Sequence, residues 1–316
     1  MVRILNREKP SVYVLLFHPW EKGFERSFKI TLSWLKKNRY HTVDPETLVD
    51  FLEEQEVPLP SKPILLTFDD GTLETYQIVY PMLKKFGFQG IAFVITTPHL
   101  VGDFKRSWWT EVDQSGWLRI ESHSHSHSLI FRGQRIIDFY TGKEWNDSFL
   151  IKRMDRRLGA PIYHYGYELV HRRYYPEKDI SDLCVSYVTQ HGGWDFFKEK
   201  NWKKELLSIV HQYRRYRKVI GFYEKRQGWR TRIGIEVHRS KKMIEQTIGR
   251  GKEVRFFAYP WGAYNKELIG QMKKAGYRGA FTSEPGANHP GDDPFKIKRT
   301  TITSEMIDKD RVNILK

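Results

Sequence analysis

The chain has 316 residues, of which 40% are hydrophobic and 29% charged, and this balance excludes a disordered polyelectrolyte. No apolar run approaches the roughly 20 residues of a membrane-spanning helix, so we expect a soluble globular protein with no transmembrane segment. The single cysteine, Cys184, excludes an intramolecular disulfide. The apolar run at residues 12–17 is too short for a signal peptide. We therefore predict a cytoplasmic protein, with the membrane face of the cytoplasm as the alternative.

The formal net charge of +15 is unevenly distributed, because residues 131–254 hold 27 basic against 15 acidic residues. Such an excess admits nucleic acid, anionic glycans and anionic membrane surfaces as partners. Basic runs such as residues 214–218 are typical of solvated helix faces, which disfavours nucleic acid. Peripheral contact with an anionic membrane stays an expectation.

Short apolar runs bounded by turn residues predict strands, with helical patterns between several of them. The predicted strands lie at residues 11–17, 63–68, 91–96, 118–121, 254–259 and 279–282. Ser27 is predicted to cap one helix, and Asp44 with Pro45 to begin a second. A third is predicted to follow Gly71 and to end at Gly87. Two more are predicted near residues 202–217 and 237–248. This alternation predicts an α/β fold with a parallel sheet or barrel.

The middle of the chain is basic and rich in aromatic residues, and there the strand–helix rhythm fades. We interpret residues 131–236 as an inserted subdomain or lid that covers one end of a barrel formed by residues 1–130 and 237–316. The arginines and tyrosines at residues 159–163 and 172–175 either line a substrate cleft or pack the lid.

The first chemical motif is the pair Asp69 and Asp70, which ends an apolar strand and precedes a glycine. The carboxyl ends of strands carry the active-site groups of barrel enzymes. Two adjacent carboxylates repel each other unless a cation or a shared proton neutralises them. The pair therefore indicates a metal ion with a base beside it, and a helix N-cap is the structural alternative.

The second motif is His123 and His127, which follow another strand with small serines between them. A spacing of four lets two imidazoles converge on one ion. Asp70 would complete a set of oxygen and nitrogen ligands with open positions, which suits zinc, with cobalt or nickel as alternatives. His125 is predicted to lie outside this set.

The third motif runs from a strand into a Pro-aromatic-Gly turn at residues 255–265. The backbone at such a turn can aim an N–H group at a developing oxyanion. An ordinary strand-to-helix turn is the alternative.

In this order, the three motifs resemble those of the polysaccharide deacetylases of the fourth carbohydrate-esterase family, which includes chitin and peptidoglycan deacetylases. The resemblance covers about residues 11–130 and 237–302 and implies a distorted (β/α) barrel. It implies the following roles: Asp69 as general base, Asp70, His123 and His127 as metal ligands, and the backbone N–H of Trp261 as an oxyanion donor.

Two positions depart from the family pattern. Many members carry an arginine two residues before the proline of the third motif, where this chain has Ala258. Arg255 or Arg299 can replace it, and the sequence does not choose between them; we place Arg255 among the catalytic residues. The late Leu-x-x-x-x-His segment, which supplies the general acid in the family, is also missing. In a permuted subgroup similar to poly-N-acetylglucosamine deacetylases this strand lies at the N-terminus, and Val14 to His18 has the matching form.

His18 is therefore the candidate acid, while Tyr259, Pro260 and Arg299 are assigned to substrate binding. The implied reaction is hydrolysis of an N-acetyl group on an amino sugar, in a glycan or in a lipid-linked or nucleotide-linked precursor. Hydrolysis of another C–N bond or of an O-acetyl group at the same site is the alternative. A non-catalytic protein that binds polyanions or glycans is the alternative of another class.

Overall fold

The computed structural model describes residues 10–97, 105–143, 151–217, 221–249, 251–308 and 311–312. It divides into two compact units, one formed by Met1–Ser126 with Gly234–Lys316 and the other by His127–Ile233. The second unit begins four residues before the first residue of the insertion predicted at 131–236. It ends three residues before the last residue of that insertion.

The strands are β1 (Val12–Phe17), β2 (His41–Thr42), β3 (Pro63–Phe68), β4 (Gly90–Val94), β5 (Leu118–Ser122), β6 (Leu129–Phe139), β7 (Pro161–Tyr167), β8 (Tyr174–Pro176), β9 (Gly221–Tyr223), β10 (Phe256–Ala258), β11 (Gly279–Phe281), β12 (Ala287–Asn288), β13 (Thr300–Thr301), β14 (Ile307–Asp308) and β15 (Arg311–Val312). The α-helices are α1 (Phe24–Lys37), α2 (Pro45–Leu52), α3 (Tyr80–Phe86), α4 (Arg106–Gln114), α5 (Lys178–Gln190), α6 (Trp202–Tyr216), α7 (Arg226–Ile248) and α8 (Lys266–Lys274). No helix among these described residues is both long and apolar enough to cross a bilayer.

The first unit is built on a curled half-barrel sheet with the strand order β11-β10-β5-β4-β3-β1-β12. The first six strands of this order run parallel, and β12 closes the far side of β1 in the antiparallel sense. The inner strands are buried nearly throughout, as expected for a parallel sheet covered on both faces. The predicted α/β class with a distorted (β/α) barrel is confirmed. The carboxyl ends of β3, β5 and β10 meet along one edge, so each motif leaves the sheet at that edge.

Local signals were read correctly at some helix ends and wrongly at others. Asp44 caps α2 as predicted, since its carboxylate accepts the Thr47 backbone N–H at 2.9 Å. Ser27 does not cap α1: it lies inside the helix, and its hydroxyl donates to the Phe24 carbonyl. The start predicted for α7 at residue 237 is also wrong, because the helix begins at Arg226. Both α1 and α7 begin before the residue that the local sequence pattern indicates, because tertiary packing supplies most of the stability of a helix in a protein.

The second unit combines two antiparallel ribbons with helices. β6 pairs with β7, and β8 pairs with β9. Helices α5 and α6 pack on an apolar cluster that contains Phe139, Cys184 and Val210. The unit therefore has a core of its own.

Candidate catalytic and metal site

Asp69 directly follows β3 and is buried, with 3% of its surface exposed. Arg299 donates two hydrogen bonds to its carboxylate, from Nη1 to Oδ1 at 2.7 Å and from Nη2 to Oδ2 at 2.8 Å. Arg299 is itself fully buried, and its Nε donates to the Thr282 carbonyl at 2.6 Å. A two-pronged pair of this kind fixes the orientation of the carboxylate as well as its charge.

The charge state of Asp69 follows from these neighbours. Burial by itself raises the pKa of a carboxyl group, but the Arg299 guanidinium and the imidazoles of His123 and His18 outweigh it. The pKa of Asp69 therefore lies below its ordinary value, and the side chain is an ionised acceptor at neutral pH.

Asp70 points away from this pair because the backbone turns sharply. Its φ is +73°, and that of Gly71 is +65°. A Cβ atom at Gly71 would lie 2.7 Å from Cγ1 of Val94, so glycine is required here. The Asp70 carboxylate accepts the indole N–H of Trp20 at 2.8 Å. The turn thus gives two adjacent carboxylates separate environments.

His123 follows β5 and is 2% exposed. Its Nδ1 lies 2.9 Å from the Ala258 carbonyl oxygen, which only accepts, so Nδ1 carries the proton. In the neutral ring Nε2 then carries the lone pair, and this atom lies 3.5 Å from Asp70 Oδ1 and 3.8 Å from Asp69 Oδ2. Burial lowers the pKa of His123, but the two carboxylates outweigh it and leave the pKa raised. The third motif therefore supports the second by orienting its first histidine.

One ligand atom each from Asp70, His123 and His127 lies within 4.8 Å of the other two. Zinc ligands lie about 2.0–2.2 Å from the ion, so two ligands of one ion are at most roughly 4.4 Å apart, and the 4.8 Å bound of this cluster is close to that limit. One carboxylate oxygen and two imidazole nitrogens suit a divalent first-row metal with open positions. His125 is engaged elsewhere, since its Nδ1 is 2.8 Å from the Thr96 hydroxyl.

Helix α7 anchors the segment that carries the histidines. The backbone N–H and the hydroxyl of Ser126 both donate to Oε2 of buried Glu236, at 3.0 and 2.8 Å. The Ser122 hydroxyl is 2.8 Å from that of Ser240. Sequence reasoning missed Glu236, because nothing local to α7 links it to a segment 110 residues earlier.

Two residues of the third motif, Tyr259 and Pro260, are assigned to substrate binding, but the structure buries both of them. Trp261 has φ +54° and ψ +20°, a left-handed turn conformation. Pro260 is buried. Tyr259 is fully buried and its hydroxyl donates to the Phe295 carbonyl at 3.0 Å, so its side chain is not placed to bind substrate.

The two candidate arginines, Arg299 and Arg255, differ clearly in their contacts. Arg299, assigned to substrate binding, is the arginine that holds Asp69. Arg255, assigned to catalysis, instead pairs with Glu253 at 3.0 Å and is 38% exposed on its side chain. The Arg255 assignment is not supported, since it precedes β10 whereas the site lies beyond the strand's other end. His18 directly follows β1, and its ring lies 5.7 Å from that of Trp20.

Backbone strain is concentrated in these motifs. Among the described residues, eight non-glycine residues have positive φ, and four of them belong to the motifs: Asp70, Ser124, His127 and Trp261. Left-handed backbone costs on the order of 1–3 kcal/mol for a residue other than glycine and clusters at functional sites. The strain therefore marks the same edge of the sheet as the ligand cluster.

Comparisons with known proteins agree with this geometry. Residues 56–168 match the polysaccharide deacetylase family model. A putative polysaccharide deacetylase of Bacillus subtilis is 31% identical over 134 residues, covering 39% of this chain and 46% of the relative. The poly-β-1,6-N-acetyl-D-glucosamine N-deacetylase of Staphylococcus epidermidis is 25% identical over 118 residues, covering 35% and 40%. The matches thus span less than half of these curated relatives.

Solved structures match over almost the whole chain. The BpsB deacetylase domain of Bordetella bronchiseptica has a TM-score of 0.61 at 19% identity, covering 92% of this chain and 96% of that one. IcaB of Ammonifex degensii has a TM-score of 0.57 at 18% identity, covering 94% and 93%. The fold is therefore an α/β half-barrel of the deacetylase type. Residues 56–168 of the chain match the polysaccharide deacetylase family, as the motifs predicted.

Proposed function

We propose that the protein is a metal-dependent hydrolase that removes the N-acetyl group from an amino sugar in a glycan or glycan precursor. The observation that carries this proposal is the division of labour between two adjacent carboxylates. Asp69 is buried on Arg299 as an oriented base, whereas Asp70 faces two histidines as a ligand. The name of the Staphylococcus epidermidis relative supports an N-acetylated glucosamine polymer as the substrate class.

Asp70, His123 and His127 are the residues that would hold the metal ion, for which we propose zinc, with cobalt or nickel as alternatives. The fit rests on the donor set and on the Ala258 carbonyl, which accepts from Nδ1 of His123 and so directs Nε2 towards Asp70. When bound, such an ion would supply Lewis-acid chemistry, drawing electron density from a carbonyl oxygen and lowering the pKa of water towards about 7.

The remaining chemistry belongs to the side chains and the backbone. Asp69 accepts the proton of the attacking water while Arg299 holds its carboxylate in place. The water oxygen bonds to the acetyl carbon, and the C–N bond breaks. His18 gives a proton to the departing nitrogen, and the backbone N–H of Trp261 donates to the developing oxyanion. The products are acetate and a free amine on the sugar.

Acetate release from a substrate panel tests this proposal. The panel contains N-acetylated glycans, lipid-linked and nucleotide-linked N-acetyl sugars, and O-acetylated glycans, each with and without a chelator. We expect release from an N-acetylated member, loss with the chelator and recovery on adding Zn²⁺. Release from O-acetylated glycans alone would contradict amide hydrolysis. Glycan binding without acetate release would favour the non-catalytic alternative, and release that ignores the chelator would contradict the metal.

A further inference from the structure

An open groove of about 570 Å³ lies on the first unit, at the segments that follow β1 and β3. The loop after β1 and the first turns of α1 supply most of its lining, and Glu74 and Ile78 supply the rest. Both segments leave the sheet at the edge that carries the motifs, which is where barrel enzymes bind their substrates. The volume lies within the roughly 300–1,000 Å³ of small-ligand sites, so the groove can hold part of a glycan chain.

Trp20 connects this groove to the candidate metal ligands. It lines the groove, and its indole N–H donates to Oδ2 of Asp70 at 2.8 Å. The other oxygen of that carboxylate, Oδ1, lies 3.5 Å from Nε2 of His123. The indole thus holds one oxygen of Asp70 while the other faces the histidine, so a ligand on the indole would lie directly beside the candidate metal site.

The Trp20 ring is exposed although it is large and apolar, with 57% of its surface open to solvent. Its ring contact in the described part of the chain is with His18, at 5.7 Å between centroids and tilted by 53°, so this neighbour does not stack on the indole. The hydrogen bond to Asp70 holds the side chain in place, which reduces the entropy lost when a ligand binds. A fixed aromatic ring of this kind suits the apolar C–H face of a sugar.

The charges of the groove separate two classes of substrate. Three carboxylates line it, those of Glu21, Glu25 and Glu74, against the two cations of Arg26 and Lys29. A diphosphate beside the sugar, as in a nucleotide-linked or lipid-linked precursor, gains no attraction from this balance. The groove therefore favours a neutral glycan, in contrast to the net charge of +15 on the whole chain.

We infer that Trp20 is the platform for the sugar next to the one that is deacetylated, and that the groove beyond it holds the following part of the chain. The inference rests on the proposed function, and it selects a neutral oligosaccharide or polysaccharide over a diphosphate-linked precursor. The reacting N-acetyl group lies at the cluster of Asp70, His123 and His127, and the neighbouring ring lies on the indole.

Acetate release with Zn²⁺ in excess tests the inference. The substrates are N-acetylglucosamine, its β-1,4-linked and β-1,6-linked tetramers, and uridine-diphosphate-linked N-acetylglucosamine. We expect kcat/KM for at least one tetramer to exceed that of the single sugar and of the nucleotide-linked sugar by about tenfold or more. The gain should lie mostly in a lower KM, because stacking of a neighbouring sugar strengthens binding without taking part in the reaction.

Variants separate the ring of Trp20 from its N–H group. Trp20→Ala removes both, so the advantage of the tetramer should disappear. Trp20→Phe keeps an aromatic ring but loses the hydrogen bond to Asp70, so it should keep most of the advantage when Zn²⁺ is in excess. Trp194→Ala is the matched control, because Trp194 is similarly exposed, at 53%, and does not line the groove.

Equilibrium titration of Asp69→Asn with the same sugars gives a readout that needs no turnover. We expect a tetramer to bind about tenfold or more tightly than the single sugar. Adding Trp20→Ala to this protein should remove the difference, and adding Trp194→Ala should not.

Three results would overturn the inference. They are equal kcat/KM for the single sugar and both tetramers, a tetramer advantage that survives Trp20→Ala, and a preference for the nucleotide-linked sugar. Absence of acetate release from every sugar would instead contradict the proposed function, and the titration would then decide on the platform alone. Tetramer binding that Trp20→Ala abolishes would support the platform, and tetramer binding that is absent or unaffected would overturn it.

Discussion

Asp69 and Glu121 are both buried carboxylates of the half-barrel, and each is paired with an arginine, but their surroundings differ. Glu121 accepts the Nε–H of Arg119 at 2.6 Å and the backbone N–H groups of Arg255 and Phe256, each at 2.9 Å. Lys252 adds a charge at 3.6 Å. Glu121 is thus surrounded by hydrogen-bond donors of the protein. Asp69 instead pairs with Arg299 and lies beside the candidate metal ligands.

The pKa shifts of the two groups have opposite signs. Burial raises the pKa of Glu121 above its ordinary value in spite of Lys252 and Arg119. At Asp69 the Arg299 guanidinium and the nearby imidazoles outweigh burial and lower the pKa. The comparison teaches that burial and an arginine do not by themselves mark a reactive carboxylate. What marks Asp69 is the neighbouring cluster of Asp70, His123 and His127.

The largest expected effect is on turnover. Asp69→Asn removes the proton acceptor and should lower kcat by about 10²–10⁴-fold, the usual contribution of a general base. Acetate release by purified protein measures it, with circular dichroism as the check on folding. A folded Asp69→Asn protein with near-normal turnover would assign the base elsewhere.

Glu121→Gln should instead affect stability. It removes the buried carboxylate that Arg119 and Lys252 share. Arg119 keeps Glu46 and Lys252 keeps Asp113, so the loss of unfolding free energy should be smaller than the roughly 3–5 kcal/mol of an uncompensated buried charge. Denaturant unfolding measures the loss, and the protein that remains folded should keep its kcat. A fall in kcat without a loss of stability would contradict the structural role of Glu121.

The arginines provide a matched pair. Arg299→Lys keeps a positive charge but loses the two-pronged contact with Asp69, and removing such support typically costs about 10–100-fold in activity. Arg255→Lys changes only an exposed pair with Glu253, worth about 0–1 kcal/mol, and should leave kcat/KM unchanged. Steady-state kinetics of both variants decide between the two arginines. Equal losses would restore Arg255 as a candidate.

Trp20 should have the smallest effect. Its indole N–H donates to Asp70, and it is mostly exposed, so Trp20→Phe should lower metal affinity by about tenfold with little change in stability. Trp34→Phe is the control, because Trp34 stacks on Tyr40. Competition with a chromophoric chelator measures both affinities. Equal affinities for the two variants would show that the indole does not support Asp70.

The sequence predicted the parts of the fold and of the site that depend on local patterns. The strand before Asp69 and the four-residue spacing of His123 and His127 can be read from neighbouring residues alone. The order of the motifs came from the family resemblance. The choice between Arg255 and Arg299 was not predictable, because it depends on how residues 230 positions apart meet in the sheet.

The missed groups have the same cause. Trp20, Glu121 and Glu236 act through contacts with residues far away in the chain. The burial of Tyr259 was missed because an aromatic residue in a turn has the same local signal whether it faces inwards or outwards. Local patterns identify the motifs, and tertiary packing decides which neighbours support them.

Bound metal is the most direct test of the central claim, that Asp70, His123 and His127 hold an ion while Asp69 does not. Elemental analysis after dialysis against Zn²⁺ should give about one ion per chain in the parent protein and in Asp69→Asn. It should give much less in Asp70→Asn and His127→Ala. Parental metal content in Asp70→Asn or in His127→Ala would contradict the assigned ligands, and an equal loss in Asp69→Asn and Asp70→Asn would contradict the division of labour between the two carboxylates.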